Sequence, residues 1–159
     1  MDKRINDSKT EQVHIITQSD LNGYKRLFGG QLMEWVDIVA AVTARRHCEM
    51  NVTTAMVDTL EFREPAHAND LVVLIGQMTY VGSASMEVCV RSYVEGLDGT
   101  RRLINKAYFV MVALDENEKP IKVPGLILEN DYEKEEWEMG KKRYELRKNR
   151  RKGILWFMF

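Results

Sequence analysis

Leu27-Phe28-Gly29-Gly30-Gln31-Leu32-Met33-Glu34-Trp35-Val36-Asp37-Ile38-Val39-Ala40-Ala41-Val42-Thr43-Ala44 is the stretch on which the fold turns. Leu32, Val36, Val39 and Ala40 recur at three- and four-residue steps, and Trp35, Ile38 and Val42 make a second such row, so the spacing predicts a helix over 31–49. Two adjoining apolar rows predict a helix whose centre is buried on more than one side, with Asp37 and Thr43 as polar exceptions. A carboxylate buried without a partner costs several kcal/mol, so Asp37, at helical spacing from Met33, Ala40, Ala41 and Ala44, calls for a role. The glycine pair that enters the helix leaves the first backbone N–H groups unshielded at the positive end of the helix dipole.

Working outward, Val13 to Ile16 reads as a short strand and 19–28 as a polar loop that contains Asn22. After the helix, segments 52–62, 71–80, 86–94 and 105–114 are rich in β-branched, aromatic and other apolar residues. Turn-forming Pro65, Asn69-Asp70, Gly82-Ser83 and Asp98-Gly99 separate them. One strand, one buried helix and four strands on short connections predict an α+β fold in which an antiparallel sheet wraps a single long helix.

Composition sets the outer bounds. At 159 residues, 45% apolar and 30% charged, the chain has the makeup of one globular domain rather than a disordered or membrane protein. No apolar run approaches the roughly 18 residues needed to span a bilayer, and the polar start Met1-Asp2-Lys3-Arg4 offers no signal segment, so a cytoplasmic location is expected. A net charge of -1 argues against a nucleic-acid partner. Cys48 and Cys89 lie far apart and support neither a disulfide framework nor a metal site. The 129–138 segment carries six acids against one lysine, and 141–152 eight bases against Glu145 alone. That sign segregation predicts a helix or tail over 127–159 that is chiefly solvated, with a phosphate-attracting patch as the alternative. The last apolar residues, Ile154 to Phe159, are expected either to dock on a neighbouring subunit or to fray.

Asn22, Leu27-Phe28-Gly29-Gly30-x-Leu32-Met33-x-Trp35-x-Asp37, Arg46-His47, Val52-Thr53-Thr54-Ala55-Met56-Val57-Asp58, Val81-Gly82-x-x-Ser85-Met86-Glu87-Val88, Val112 to Asp115, Lys119-Pro120 and Val123-Pro124 carry a resemblance. Over about residues 11–126 the chain resembles the acyl-CoA thioesterases of the hotdog fold. The resemblance implies a hotdog domain over 1–126, hydrolysis of fatty acyl-CoA to free acid and coenzyme A, and no cofactor beyond the coenzyme A of the substrate. It also implies a homodimer assembled into a trimer of dimers, with active sites shared across the dimer interface, and catalytic positions at Asn22, Asp37 and Thr54. Two positions depart from the usual pattern. Lys25-Arg26 stand where members often carry Gly-Thr, and Gly82-Ser83-Ala84-Ser85-Met86 lacks the arginine that usually faces a phosphate.

The chemistry agrees with these positions. A thioester carbonyl needs its developing oxyanion stabilised, and a backbone N–H near Gly29, Gly30 or Gln31 offers that without a metal. Asp37 can serve as base or as nucleophile, with Asn22 and Thr54 positioning water or carbonyl. Gly82, Ser83 and Ser85 are the expected phosphate contacts, with Arg45, Arg46 or Arg91 supplying charge. Each residue also has a structural reading. Asp37 can pair with a buried arginine, Asn22 can shape an Asn-Gly turn, Thr54 is a favoured strand residue, and His47 suits a helix C-terminus. A non-catalytic acyl-CoA-binding or sensing module on the same fold is the alternative to an enzyme. A dehydratase would need a histidine in the loop-to-helix segment, which has none.

Overall fold

Along Ser85–Glu95, the residues Met86, Val88 and Val90 alternate with Glu87, Cys89 and Arg91. A strand turns successive side chains to opposite faces, so this segment builds one apolar face and one polar one. The computed structural model of the chain describes the backbone of residues 1–158 and the side chains of residues 1–152. In chain order it contains β1 (Lys3–Arg4), α1 (Ile5–Ser8), β2 (Thr10–Ile15), a 3-10 turn at Gln18–Asp20 and α2 (Gly29–Cys48). There follow β3 (Val52–Phe62), β4 (Leu71–Val81), β5 (Ser85–Glu95), β6 (Arg101–Ala113), β7 (Leu126–Ile127) and α3 (Asp131–Met158). The five long strands form one antiparallel sheet in the order β2-β4-β5-β6-β3, and β1 pairs with β7 in parallel.

The row Leu32, Val36, Val39, Ala40 and Ala44 of α2 packs on the apolar face of the sheet, against Val72, Leu74, Met78, Met86, Val88, Val90, Phe109 and Met111. Thr43 is buried with this row, and its hydroxyl donates to the Val39 carbonyl at 2.8 Å. The helix and the four strands that follow it lie where the sequence pattern puts them. The expected burial on more than one side is corrected within the single chain: Trp35 is buried, but Ile38 is 42% exposed and Met33 39% exposed. The sheet covers one flank of α2, and of the second apolar row Trp35 is buried, Val42 half-buried and Ile38 exposed. Among the described residues no helix is long and apolar enough to cross a membrane.

The C-terminal segment is not a solvated tail. It is a helix, and α3 docks on the polar face of the sheet. Asn130 caps its start, accepting from the Glu133 N–H at 2.9 Å, while Glu133 Oε1 accepts from the Glu129 N–H at 2.9 Å. Farther along, Arg143 makes a two-pronged bond to Glu87 at 2.9 and 2.8 Å. Arg147, 5% exposed, donates to Asp58 at 2.6 Å and lies 3.6 Å from Glu87. The Tyr108 hydroxyl donates to Glu136 at 3.1 Å, and the Arg143 guanidinium stacks over the Tyr108 ring at 3.8 Å. Gly140 sets the approach: a side chain there would come within 2.7 Å of Tyr80 Cβ and 2.8 Å of Glu87 Oε1. The docked face is thus a stripe of acids, arginines, aromatics and one glycine, which apolar periodicity does not register. The expectation for Ile154 to Phe159, docking or fraying, concerns side chains outside the described residues.

Removing one partner of a buried ion pair leaves the other uncompensated, at a cost of about 3 kcal/mol or more. Arg143→Ala is expected to lower unfolding stability in urea by about 3 kcal/mol and to speed hydrogen exchange along α3. An unchanged urea midpoint would show that the pair does not hold the helix.

Candidate active site

Asn22 sits in the polar loop ahead of α2 and spends half of its amide there. Its Oδ1 accepts from the Tyr24 N–H at 2.9 Å and the Arg26 N–H at 3.2 Å, and its backbone N–H donates to the Arg26 carbonyl at 2.8 Å. Because both partners are N–H donors, the amide's orientation is fixed and Nδ2 remains as a spare donor. Lys25, which stands where a glycine is usual, adopts the left-handed conformation with φ 59°. The loop is fastened to the body by Leu27, whose N–H donates to the Ala66 carbonyl at 2.7 Å. Asn22, Arg26, Phe62, Glu64 and Ala66 are among the residues lining a cavity of about 270 Å³ beneath it.

Phe28 opens α2 without a side-chain cap, and the first turn holds no acid. The Phe28 carbonyl takes the N–H of Gln31 at 3.0 Å and that of Leu32 at 3.1 Å. Gln31 is thereby removed from the candidate donors. Among the described residues no hydrogen bond uses the N–H of Gly29 or Gly30, so these two carry the open positive end of the helix.

Two turns on, Asp37 lies half-buried on the flank of α2 nearest β3. Thr54 comes from that strand, and its hydroxyl donates to Asp37 Oδ1 at 2.6 Å. The register of β3 against β6 shifts between Thr54 and Met56, a bulge of the kind that re-aims side chains. The structure therefore brings Asp37 and Thr54 together. Among the described residues Asn22 bonds to neither.

Gly82 to Ser85 form the β4–β5 turn, closed by the Gly82 N–H donating to the Ser85 carbonyl at 2.8 Å. Two of the three expected arginines are engaged elsewhere. Arg91 lies 3.7 Å from Glu136 and over the Tyr132 ring, on the stretch of β5 that α3 covers, and Arg46 donates to the Lys9 carbonyl and to Thr10. What lies over the turn is α3, whose Tyr144, Arg147, Lys148 and Arg151 line a cavity of about 310 Å³ together with Ser83 and Ser85. The i, i+3, i+4, i+7 spacing of those four is the signal in the sequence that marks this face.

The chain is similar in sequence and fold to known proteins. Residues 24–98 match the family model of the thioesterase superfamily. Over 92% of its length the chain is 36% identical to an uncharacterized acyl-CoA thioester hydrolase of Bacillus subtilis, and it covers 86% of that protein. The chain belongs to the hotdog-fold acyl-CoA thioesterase family. It is also 32% identical to the cytosolic acyl coenzyme A thioester hydrolase of Rattus norvegicus, of which it spans 39% of the length. Among solved structures, an acyl-CoA hydrolase from Staphylococcus aureus in complex with butyryl coenzyme A and coenzyme A superposes with a TM-score of 0.91 at 32% identity, covering 98% of this chain and 95% of that one. A hexameric acyl-CoA thioesterase superposes with a TM-score of 0.89 at 34% identity, covering 94% of this chain and 97% of that one.

The remaining reactive groups of this thioesterase are held in structural duties. Burial pushes the Cys89 thiol up to about 11 and raises Cys48 as well, so both stay protonated and poorly nucleophilic near neutrality. His14 stacks on Trp35 with ring centroids 4.1 Å apart. His47 is not an exposed helix-end cation, as the helix dipole alone would favour. It is fully buried, and its Nε2 donates to the Pro124 carbonyl at 2.7 Å, tying the end of α2 to the segment after β6. Among the described residues no His, Cys, Asp and Glu cluster could hold a metal ion.

Burial lowers the proton affinity of His47, and the Pro124 carbonyl opposes this only in part. The folded state thus binds a proton more weakly than the unfolded chain, whose histidine titrates near 6.5. Stability from this group is whole above that pH and is lost as the pH falls below it. His14, also lowered by burial, contributes with the same sign. The thermal midpoint is expected to drop between about pH 7 and pH 5, and His47→Gln to flatten that slope more than His14→Gln. Equal slopes in all three proteins would exclude His47 as the source.

Proposed function

We propose that this thioesterase hydrolyses fatty acyl-CoA to free acid and coenzyme A by general-base catalysis, with Asp37 as the base. The carrying observation is the 2.6 Å bond from Thr54 to Asp37 Oδ1. A hydroxyl that donates to the carboxylate keeps its own lone pairs for a water proton, and Asp37 Oδ2 is left to take the proton that water loses on attack. Thr54 in this way orients base and water together, which favours water activation over direct attack by the carboxylate. The Gly29 and Gly30 N–H groups receive the oxyanion as the tetrahedral centre forms, and the free Nδ2–H of Asn22 orients the thioester carbonyl or the water. Gly82, Ser83 and Ser85 contact the coenzyme A phosphates. The route uses no group beyond the coenzyme A of the substrate.

The working unit on this reading is a homodimer, assembled into a trimer of dimers in the cytoplasm, with residues 1–126 as its hotdog domain and 127–159 as a charged C-terminal helix. Three observations support it. Asn22 and the Asp37–Thr54 pair have no bond between them within one chain. Ile38 and Met33 stand exposed beside the edge strand β3, where a second copy would cover them. Similar solved structures include hexameric thioesterases. Alanine variants solved for the Staphylococcus aureus hydrolase replace an asparagine, an aspartate and a threonine spaced along its chain as Asn22, Asp37 and Thr54 are here, which further supports the three roles.

Thiol release from acyl-CoAs of graded chain length tests this directly. Asp37→Ala is expected to lower kcat by at least about a hundredfold and Thr54→Val by about tenfold, with coenzyme A binding retained. A parent protein that binds acyl-CoA without turnover would instead be the non-catalytic binding module. Ile38→Glu is expected to give monomers on size exclusion and to abolish turnover. Active monomers would remove the shared site.

A further inference from the structure

Eight bases crowd residues 141–152, and the structure separates them by duty. Arg143 is consumed by Glu87, and Arg147 by Asp58 and Glu87. Arg150 lies 3.8 Å from Asp58. Lys148 and Arg151 differ: both are exposed, and among the described residues no carboxylate pairs with either. Both line the 310 Å³ cavity over the β4–β5 turn, beside the Ser83 and Ser85 side chains.

Their placement over that turn is fixed by packing. The Tyr144 ring rests on Gly82, where any side chain would meet it at 2.8 Å. Lys148 follows one helical turn later with its ammonium 4.7 Å from the centre of the same ring, and Arg151 one turn beyond that. The Tyr144 phenol is held below its ordinary range, first by hydrogen bonding with Ser83 and also by Lys148. The floor of the cavity is apolar and includes Ala55, the residue after Thr54 on β3. Two unpaired cations, three hydroxyls and an apolar floor together suit a ligand that carries phosphates on a planar, partly apolar body.

We propose that Lys148 and Arg151, with the hydroxyls of Tyr144, Ser83 and Ser85, seat the phosphorylated adenosine end of the coenzyme A in the substrate. The helix α3 of the same chain thereby supplies the positive charge that the turn itself lacks. The identity of the ligand rests on the thioesterase reading, and the site itself on the geometry. Lys148 and Arg151 are specificity determinants for the nucleotide end and are remote from the acyl carbonyl.

The test compares the parent with Lys148→Ala/Arg151→Ala, whose two exposed side chains make no ion pair among the described residues. Calorimetric titration with coenzyme A is expected to show binding by the parent, weakened roughly tenfold or more in the variant. Turnover of acyl-CoA is expected to show a raised KM with kcat within about twofold, while the same acyl groups on pantetheine, which lacks the nucleotide, are hydrolysed equally by both proteins. A parent that fails to bind coenzyme A, a variant that binds it as tightly as the parent, or an equal loss on the pantetheine esters would overturn the proposal. Absent turnover in both proteins, with coenzyme A binding weakened in the variant alone, sinks the hydrolytic reading and leaves this site standing.

Discussion

A sheet whose two faces differ in chemistry is the constraint from which the rest of this molecule follows. In β5 the alternation of Met86, Val88 and Val90 with Glu87, Cys89 and Arg91 commits one side to α2 and the other to α3. The apolar side is held by area removed from water, which is undirected and tolerant of sliding. The polar side is held by bonds of fixed geometry, above all the fork of Arg143 on Glu87. The first face makes the fold stable, and the second decides where along the sheet the basic helix comes to rest.

That difference explains what could be read in the chain beforehand. The α2 helix and the four strands after it were legible because their apolar periods are long and unbroken, and Val52–Phe62 falls at its expected limits. The docking of α3 was not legible. Glu87 and Asp58 lie 56 and 89 positions from the arginines they meet, and an acid within an alternating strand looks like any solvent-facing residue. The second apolar row of α2 misled in the opposite sense. Period alone reports that a face is apolar and not what covers it, and in one chain Ile38 is left uncovered. Elements of two to four residues, such as β1, α1 and β7, carry no period at all.

The candidate site shows the same division. Asp37 stood out because a carboxylate is out of place among alanines, and the family pattern added Thr54; the register shift that follows Thr54 in β3 is announced by no residue type. Asn22 was open to a turn reading and a functional one; its amide oxygen bonds within the loop, as a turn residue's would, and its nitrogen is left spare. Lys25 meets the demand of a glycine-like position by adopting φ 59° itself, at a cost on the order of 1 kcal/mol. The β4–β5 turn lacks an arginine of its own, but Arg147, Lys148 and Arg151 of α3 line a cavity beside it, which a reading confined to contiguous motifs does not find.

The pairing of Lys3 and Arg4 with Leu126 and Ile127 also has a bearing on how the protein is made. In chain order β1 precedes β7, so its backbone pairing waits for residues 125–127, by which time α2 and all five strands of the main sheet have been synthesised. The closing bond from Gly125 to Asp2 joins residues 123 positions apart, among the widest loop closures in the chain. Before then α2 already offers Lys3 the Arg46 carbonyl at 3.0 Å and the Glu49 carboxylate at 3.3 Å. The backbone join of β1 to β7 is thus the last strand pairing that the order of synthesis permits before α3.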